Sequence, residues 1–403
     1  MKKRSIFALL LAAVMIFAVA CETDAPAGSG APAGPAADDG PFPGKIAIVS
    51  SPLDQNEEEF RSAEQIVAKY GVDKVLHLTY PANFMAEAEQ LITIVTSAAA
   101  DPDVRILILN QAVPGMIPAV DRVLQMRDDL FIVFCNPQED APEVGKRANL
   151  ALNPDTPGRG TLFAEAAHNF GASTIVHYSF PRHMSQPQNA ARRNNMEARS
   201  AELGIEFINA TAPDPTGEGG LSATQLFMYE DIPRMVEAYG PDTVIFATNC
   251  GMQTPILNMV MDYGLMYVEP CCPSPFHAFP NALGIEVPPG MGDVNFVIGE
   301  TTRILGEHDM LGRIGNWPVP LAFLYTHVGV EYAIRAVNGE VPYDVIDIDV
   351  LAEVVQNYIF EVVGQDLSVI LRPYTEPFFL EAGQEPDVVV DNFIWFLIEH
   401  LVY

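Results

Sequence analysis

The strongest constraint on this chain is a repeated alternation of short β-branched runs with amphipathic stretches, beginning at Lys45. KIAIVSS, KVLHLTY, RILILNQA and LFIVFCN read as strands, with helices between them over 57–70, 85–99 and 117–127. The unit then repeats. TIVHYSF, EFINATA, TVIFATN and MYVEPCC are separated by helices over 189–203, 222–239 and 253–263. Strands alternating with helices of about 10–15 residues dictate parallel sheets with right-handed crossovers. The near-continuous apolar character of the runs agrees, because a parallel strand is covered on both faces. The expectation is an α/β protein of two Rossmann-like lobes with parallel sheets.

Breaker-rich segments divide the two halves. ALNPDTPGRG (151–160) closes the first, CCPSPFHAFP (271–280) closes the second, and GNWPVP (315–320) precedes a last helix over 321–338. Three punctuations predict three crossings between the lobes. LGIEV is expected as a strand returning to the first lobe, with a helix over 295–305. The lobes are therefore assigned as 45–155 with 275–315, and 156–274 with 316–340. The final segment, 341–403, is an extension without an assigned place.

Ahead of the repeat lies an export signature. Lys2, Lys3 and Arg4 precede an apolar run over 6–20, too short to cross a bilayer, which takes about 20 apolar residues. The run ends in small residues directly before Cys21, like the lipobox in which the cysteine is diacylated. Residues 1–20 are thus expected as a lipoprotein signal peptide and Cys21 as the lipidated residue. Residues 21–44, rich in Ala, Pro, Gly and Asp, are expected as a flexible tether reaching roughly 75 Å at about 3.3 Å per residue. The expected location is extracytoplasmic, anchored to the bilayer through the acyl chains only.

Composition excludes some partners. The net charge is −30, with 52 acidic residues against 22 basic ones, so nucleic acid is not an expected partner. Cys21 aside, Cys135, Cys250, Cys271 and Cys272 are too few for a disulfide framework. Cys271 and Cys272 read first as free thiols, with a vicinal disulfide as an alternative. Zinc on Cys250, Cys271, Cys272 and His277 is chemically plausible, but CxxC spacing is missing. Neither a metal nor a cofactor is expected.

In parallel α/β sheets ligands sit beyond the carboxyl ends of the strands. That rule yields the candidate ligand-binding set: Ser51, Tyr80, Gln111, Asn136, Arg182, His183, Asp214, Asn249, Ser274, His277 and Trp317. Most are neutral hydrogen-bonding groups, suited to a small polar molecule. Arg182, following Pro181 at a strand exit, is the expected anchor for an anionic group. Trp317 is expected either to stack on a ligand ring or to fill the core.

At these strand ends the chain resembles a known family. LTYPANFMAEAE, NQAVPG, LNPDTPGRG, SFPRHMS, ATAPDPTGEGG, EPCCPSPFHAFPNALGIE and NWPVP resemble bacterial lipoproteins grouped as domain of unknown function 3798. The similarity runs from about Lys45 to about Asn338. It implies a type I periplasmic-binding-protein fold, akin to lipoproteins that feed transporters, and it implies no ligand. The resemblance leads one to expect an aspartate after ATN, where Cys250 stands, which counts against a cation-binding role there. The resulting expectation is a non-enzymatic solute-binding lipoprotein delivering a small molecule to an ABC transporter permease. A sensory lipoprotein, or a surface enzyme using the Cys/His cluster, are the alternatives.

Overall fold

The computed structural model describes residues 41–53, 56–82, 84–215, 217–287, 293–378 and 384–403. The signal segment, Cys21 and nearly all of the tether lie outside the described residues. The first half runs β1 (Lys45–Ser50), α1 (Glu57–Tyr70), β2 (Val75–Thr79), α2 (Ala88–Ala100), β3 (Val104–Asn110), α3 (Met116–Met126), β4 (Phe131–Cys135), α4 (Ala141–Gly145) and β5 (Leu150–Pro154). Its strands pair in parallel in the order β2-β1-β3-β4-β5. This is a doubly wound order whose switch point lies between β1 and β3.

The second half runs α5 (Thr156–Asn169), β6 (Thr174–Ser179), α6 (Pro181–Met184), α7 (Pro187–Leu203), β7 (Glu206–Thr211), α8 (Gly220–Tyr239), β8 (Thr243–Ala247), α9 (Gln253–Tyr263), α10 (Phe279–Leu283) and α11 (Val294–Glu307). Its sheet repeats the winding as β7-β6-β8, all parallel. Single parallel bridges, Val244 to Met266 and Tyr267 to Ile314, continue it by two more rungs. The expected strand at MYVEPCC is thus reduced to bridging residues. Residues 283–287 form no strand.

The rest is β9 (Gly315–Asn316), α12 (Leu321–Val337), α13 (Ile348–Val363), β10 (Val369–Glu376), β11 (Val388–Ile398) and β12 (Leu401–Val402). Here the structure reverses the lobe assignment. Phe279, Leu305, Met310 and Ile314 pack in the second core, beside Tyr178 and Ile245. Trp317, Val319 and α12 residues Leu324, Val328 and Tyr332 pack in the first core, beside Ile48 and Val133. So 275–315 joins the second lobe and 316–340 the first. The reason is physical: α12 is apolar on nearly every face and covers the first sheet, whose strands need burial on both sides.

The extension belongs to the first lobe too. β11 pairs in parallel with β5, placing Phe393 opposite Ala151, and β10 closes the edge antiparallel to β11. Leu401 and Tyr403 then return to the second core. There are three crossings, as expected, but at 154–156, 314–317 and 398–401. The segment 271–280 is not one of them.

Local sequence explains the first crossing. Pro154 ends β5, and the side chain of Asp155 caps α5 by accepting from the Gly158 amide at 2.8 Å. Pro157 occupies the first turn, where a missing amide proton costs nothing. PGRGT is therefore helical. Its Gly160 lets α5 and α7 touch: a Cβ there would strike the Arg192 carbonyl oxygen and lie 2.9 Å from Met196 N.

Candidate functional site

Each lobe presents its strand ends, and the two sets differ. On the first lobe the centre is a carboxyl group that strand ends alone do not reveal. Glu59 faces inward from α1, on a stripe with Ser62, Ala63 and Ile66. It is 1% exposed. Burial, the dominant cause, with the neighbouring Glu58 charge, pushes its pKa up to about 8, against the pull of Ser51. Its carboxyl therefore keeps the protonated form to a higher pH than an ordinary glutamate.

Gln111 is its partner, and their geometry allows two arrangements. When Glu59 is protonated, its O–H donates to the Gln111 carbonyl oxygen. When Glu59 is ionised, the amide turns and its nitrogen donates to the two carboxylate oxygens at 2.7 and 2.8 Å. Gln111 and Asn136 both adopt left-handed backbone, φ 51° and 48°, at the exits of the adjacent strands β3 and β4. Such conformations are uncommon away from glycine and concentrate at functional sites. Tyr80 reaches the Gln111 oxygen at 3.5 Å, and Ser51 donates to the Asn56 carbonyl at 3.2 Å. Ser51, Tyr80 and Gln111 are thus brought together around Glu59, with Asn136 at the neighbouring strand exit.

A bridge then reaches from the second lobe. Ser274 donates to Glu58 Oε1 at 2.8 Å, while its carbonyl accepts from Asn316 Nδ2 at 2.8 Å. Phe276 stands 6.4 Å, ring to ring, from Phe323 of α12. The segment 272–277 therefore lies against α1 and α12 of the first lobe.

On the second lobe the expected residues are largely occupied. Arg182 forms a two-pronged ion pair with Asp214, Nε to Oδ2 at 2.7 Å and a terminal nitrogen to Oδ1 at 2.8 Å. Two of its five donors are thus engaged, and in this structure Arg182 serves as an intralobe tie between the β6 and β7 exits rather than standing as an unpaired anion anchor. His183 packs on Phe180 at 4.1 Å, and its Nδ1 lies 3.1 Å from Thr248 Oγ1. Asn249 caps the turn 250–252 by accepting from Gly251 N at 2.9 Å. His277 is half-buried, with Nδ1 2.7 Å from the Cys272 carbonyl oxygen.

Trp317 is fully buried at the second crossing, with the Arg159 guanidinium 5.8 Å from its ring centre. Of the two expectations for it, core packing is the one observed. Arg159 also binds Glu269, at 2.9 Å through Nε and 2.6 Å through a terminal nitrogen, and His400 meets the other Glu269 oxygen at 3.0 Å. Burial works to raise the Glu269 pKa, but Arg159 and His400 outweigh it and hold the carboxyl below the usual range. Arg372 of β10 binds Asp155 through two contacts, 2.5 and 2.8 Å. The buried Arg159–Glu269–His400 network thus ties the first and third crossings to the end of the second sheet, and the Arg372–Asp155 pair fastens β10 to the first crossing.

A cavity of about 320 Å³ lies along α5, lined by Leu162, Phe170, Ile370, Leu397 and His400 among others. It includes none of the strand-end residues above. Polarity favours the strand ends as the site.

Two parallel, doubly wound lobes joined by three crossings define the architecture of type I periplasmic binding proteins. Residues 44–315 match the family described as proteins of unknown function, DUF3798, and the chain belongs to that family. An uncharacterised protein of Treponema pallidum (strain Nichols) is 30% identical over 178 residues, 43% of this chain and 80% of the other. A crystal structure from Clostridium difficile 630, provisionally described as a transcriptional regulator, superposes with a TM-score of 0.79. It is 20% identical and covers 90% of this chain and 99% of that one, a likeness of fold alone. A sugar ABC transporter protein from Actinomyces odontolyticus ATCC 17982 reaches 0.49 at 12% identity, over 74% and 84% of the chains. That likeness is too loose to bear on ligand or partner.

Proposed function

We propose that this chain is an extracytoplasmic solute-binding lipoprotein, held to the membrane through Cys21 and delivering a small, neutral, hydroxyl-rich molecule to an ABC importer. The observation that carries the reading is the Glu59–Gln111 pair, ringed by Ser51 and Tyr80 at the first lobe's strand ends. A protonated carboxyl and an amide each offer a donor and an acceptor without net charge, the chemistry that reads hydroxyl groups. Arg182 being spent on Asp214 removes the main argument for an anion. The small-residue run before Cys21 supports the anchor. Capture rather than turnover is the role this reading assigns.

Native mass spectrometry of freshly purified protein tests the ligand class, the expected result being a neutral polyol-sized adduct lost on denaturation. Gln111→Ala should weaken calorimetric affinity for that molecule at least about tenfold, a loss of about 1.4 kcal/mol. An unchanged affinity would remove the pair from the site. Cys21→Ala should move the protein from the membrane to the soluble fraction, and retention after a salt wash would rule out the anchor.

A further inference from the structure

Three thiols from two separate turns, one at Cys250 and two at Cys271 and Cys272, meet in space. Cys250 leaves β8, while Cys271 and Cys272 follow the last bridging residues of the second sheet. Cys250 Sγ lies 3.3 Å from Cys271 Sγ and 3.7 Å from Cys272 Sγ, and the latter two are 3.9 Å apart. A ring nitrogen of His277 joins them, with all four ligand atoms within 4.8 Å of one another. We propose that Cys250, Cys271, Cys272 and His277 form a closed tetrahedral site for zinc.

The sulfur triangle has the size the metal demands. Zinc–thiolate bonds of about 2.3 Å at tetrahedral angles put sulfurs about 3.8 Å apart. The three separations bracket that value. A disulfide would need sulfurs at about 2.05 Å, and all three thiols are free.

The fourth ligand is prepared as metal-binding histidines usually are. His277 Nδ1 is engaged with the Cys272 carbonyl oxygen, which fixes that nitrogen as the donor and leaves Nε2 with its lone pair for the metal. Soft sulfur with one imidazole selects zinc over magnesium or calcium, whose ligands are oxygens.

Charge supplies an independent argument. Three thiolates and a neutral imidazole around Zn²⁺ carry one net negative charge. Arg192 is 3% exposed, and among the described residues no carboxylate lies within ion-pair distance of it. Its Nε has no hydrogen-bond partner. Of the negative groups near it Glu269 acts most strongly, followed by Cys271 and Cys272. An occupied site adds counter-charge to this buried guanidinium. The metal would also clip residues 271–277 to the exit of β8, holding Ser274 where it meets Glu58.

The test uses the full chain purified under reducing conditions, with cobalt(II) as the optical probe and zinc as competitor. One equivalent of cobalt should give tetrahedral visible bands with thiolate-to-metal charge transfer, and zinc should abolish them. Zinc should protect the three cysteines from maleimide labelling in the native chain. Cys250→Ser should remove the charge-transfer band, and His277→Ala, a half-buried position, should weaken binding at least about tenfold while the protein stays folded by circular dichroism. Free reactive thiols without cobalt bands overturn the proposal. So does a disulfide among the three that persists in place of metal, or zinc binding that survives the Cys250→Ser change. None of these readouts depends on which solute the cleft holds.

Discussion

Glu59 makes the stability of this protein depend on pH in a direction opposite to that of ordinary carboxylates. Its pKa rises from 4.5 to about 8 on folding. Between those values the folded chain keeps a proton that the unfolded chain releases, so stability falls as pH rises. The contribution is fully present below pH 4.5 and is lost as pH rises through about 8. A difference of about 3.5 units at about 1.4 kcal/mol each sets a ceiling of about 5 kcal/mol. Turning of Gln111 to serve the ionised carboxylate lowers the realised value, so about 3 kcal/mol is the working expectation. Glu59→Gln removes the titration and keeps the shape. Urea unfolding of both proteins at pH 5, 6, 7 and 8 isolates it, because every other group cancels in the difference. The variant should gain on the wild type steadily with pH, by about 3 kcal/mol from pH 5 to pH 8. A difference that stays flat across that range refutes a protonated Glu59, whatever its sign.

Two further substitutions probe the second lobe. Arg182→Ala breaks a solvent-screened pair whose arginine is 46% exposed, so the urea midpoint should barely move and ligand affinity should not change by as much as about twofold; a tenfold loss measured by calorimetry would return Arg182 to the binding site. Gly160→Ala drives a methyl group into the α7 backbone, and overpacking of that kind typically costs about 1–3 kcal/mol, read as a lowered urea midpoint; an unchanged midpoint would mean that α5 and α7 separate freely.

The alternation of strands and helices made both lobes readable because each unit is local, and α9 is found at 253–263 as the periodicity predicts. The pairing of β11 with β5 was not readable. It joins residues more than two hundred positions apart, and VVVDNFIWFLI carries only the continuous apolar signal that any buried segment shows. Breaker-rich CCPSPFHAFP resembled a crossing because proline marks any sharp turn, whereas here the chain folds back onto its own lobe. Glu59 was hidden within three consecutive glutamates that look like a solvated first turn. Its signal is the helical spacing to Ser62, Ala63 and Ile66, which puts one of the three on the inner face. The grouping of Cys250 with Cys271, Cys272 and His277 was chemically plausible from sequence but set aside for want of CxxC spacing, because neighbouring rungs of a parallel sheet, not local spacing, bring them together.

The placement of β11 also fixes an order of assembly. Residues 156–314 are contiguous, and their sheet can form as soon as that stretch has emerged. The first sheet cannot be completed on that schedule, since β5 waits for a neighbour made more than two hundred residues later. Until then one edge of β5 stays unpaired, and the Arg372–Asp155 tie cannot form. Closure of the first lobe therefore waits for residues 369–398, and the Arg372–Asp155 tie is among the last contacts that can be made.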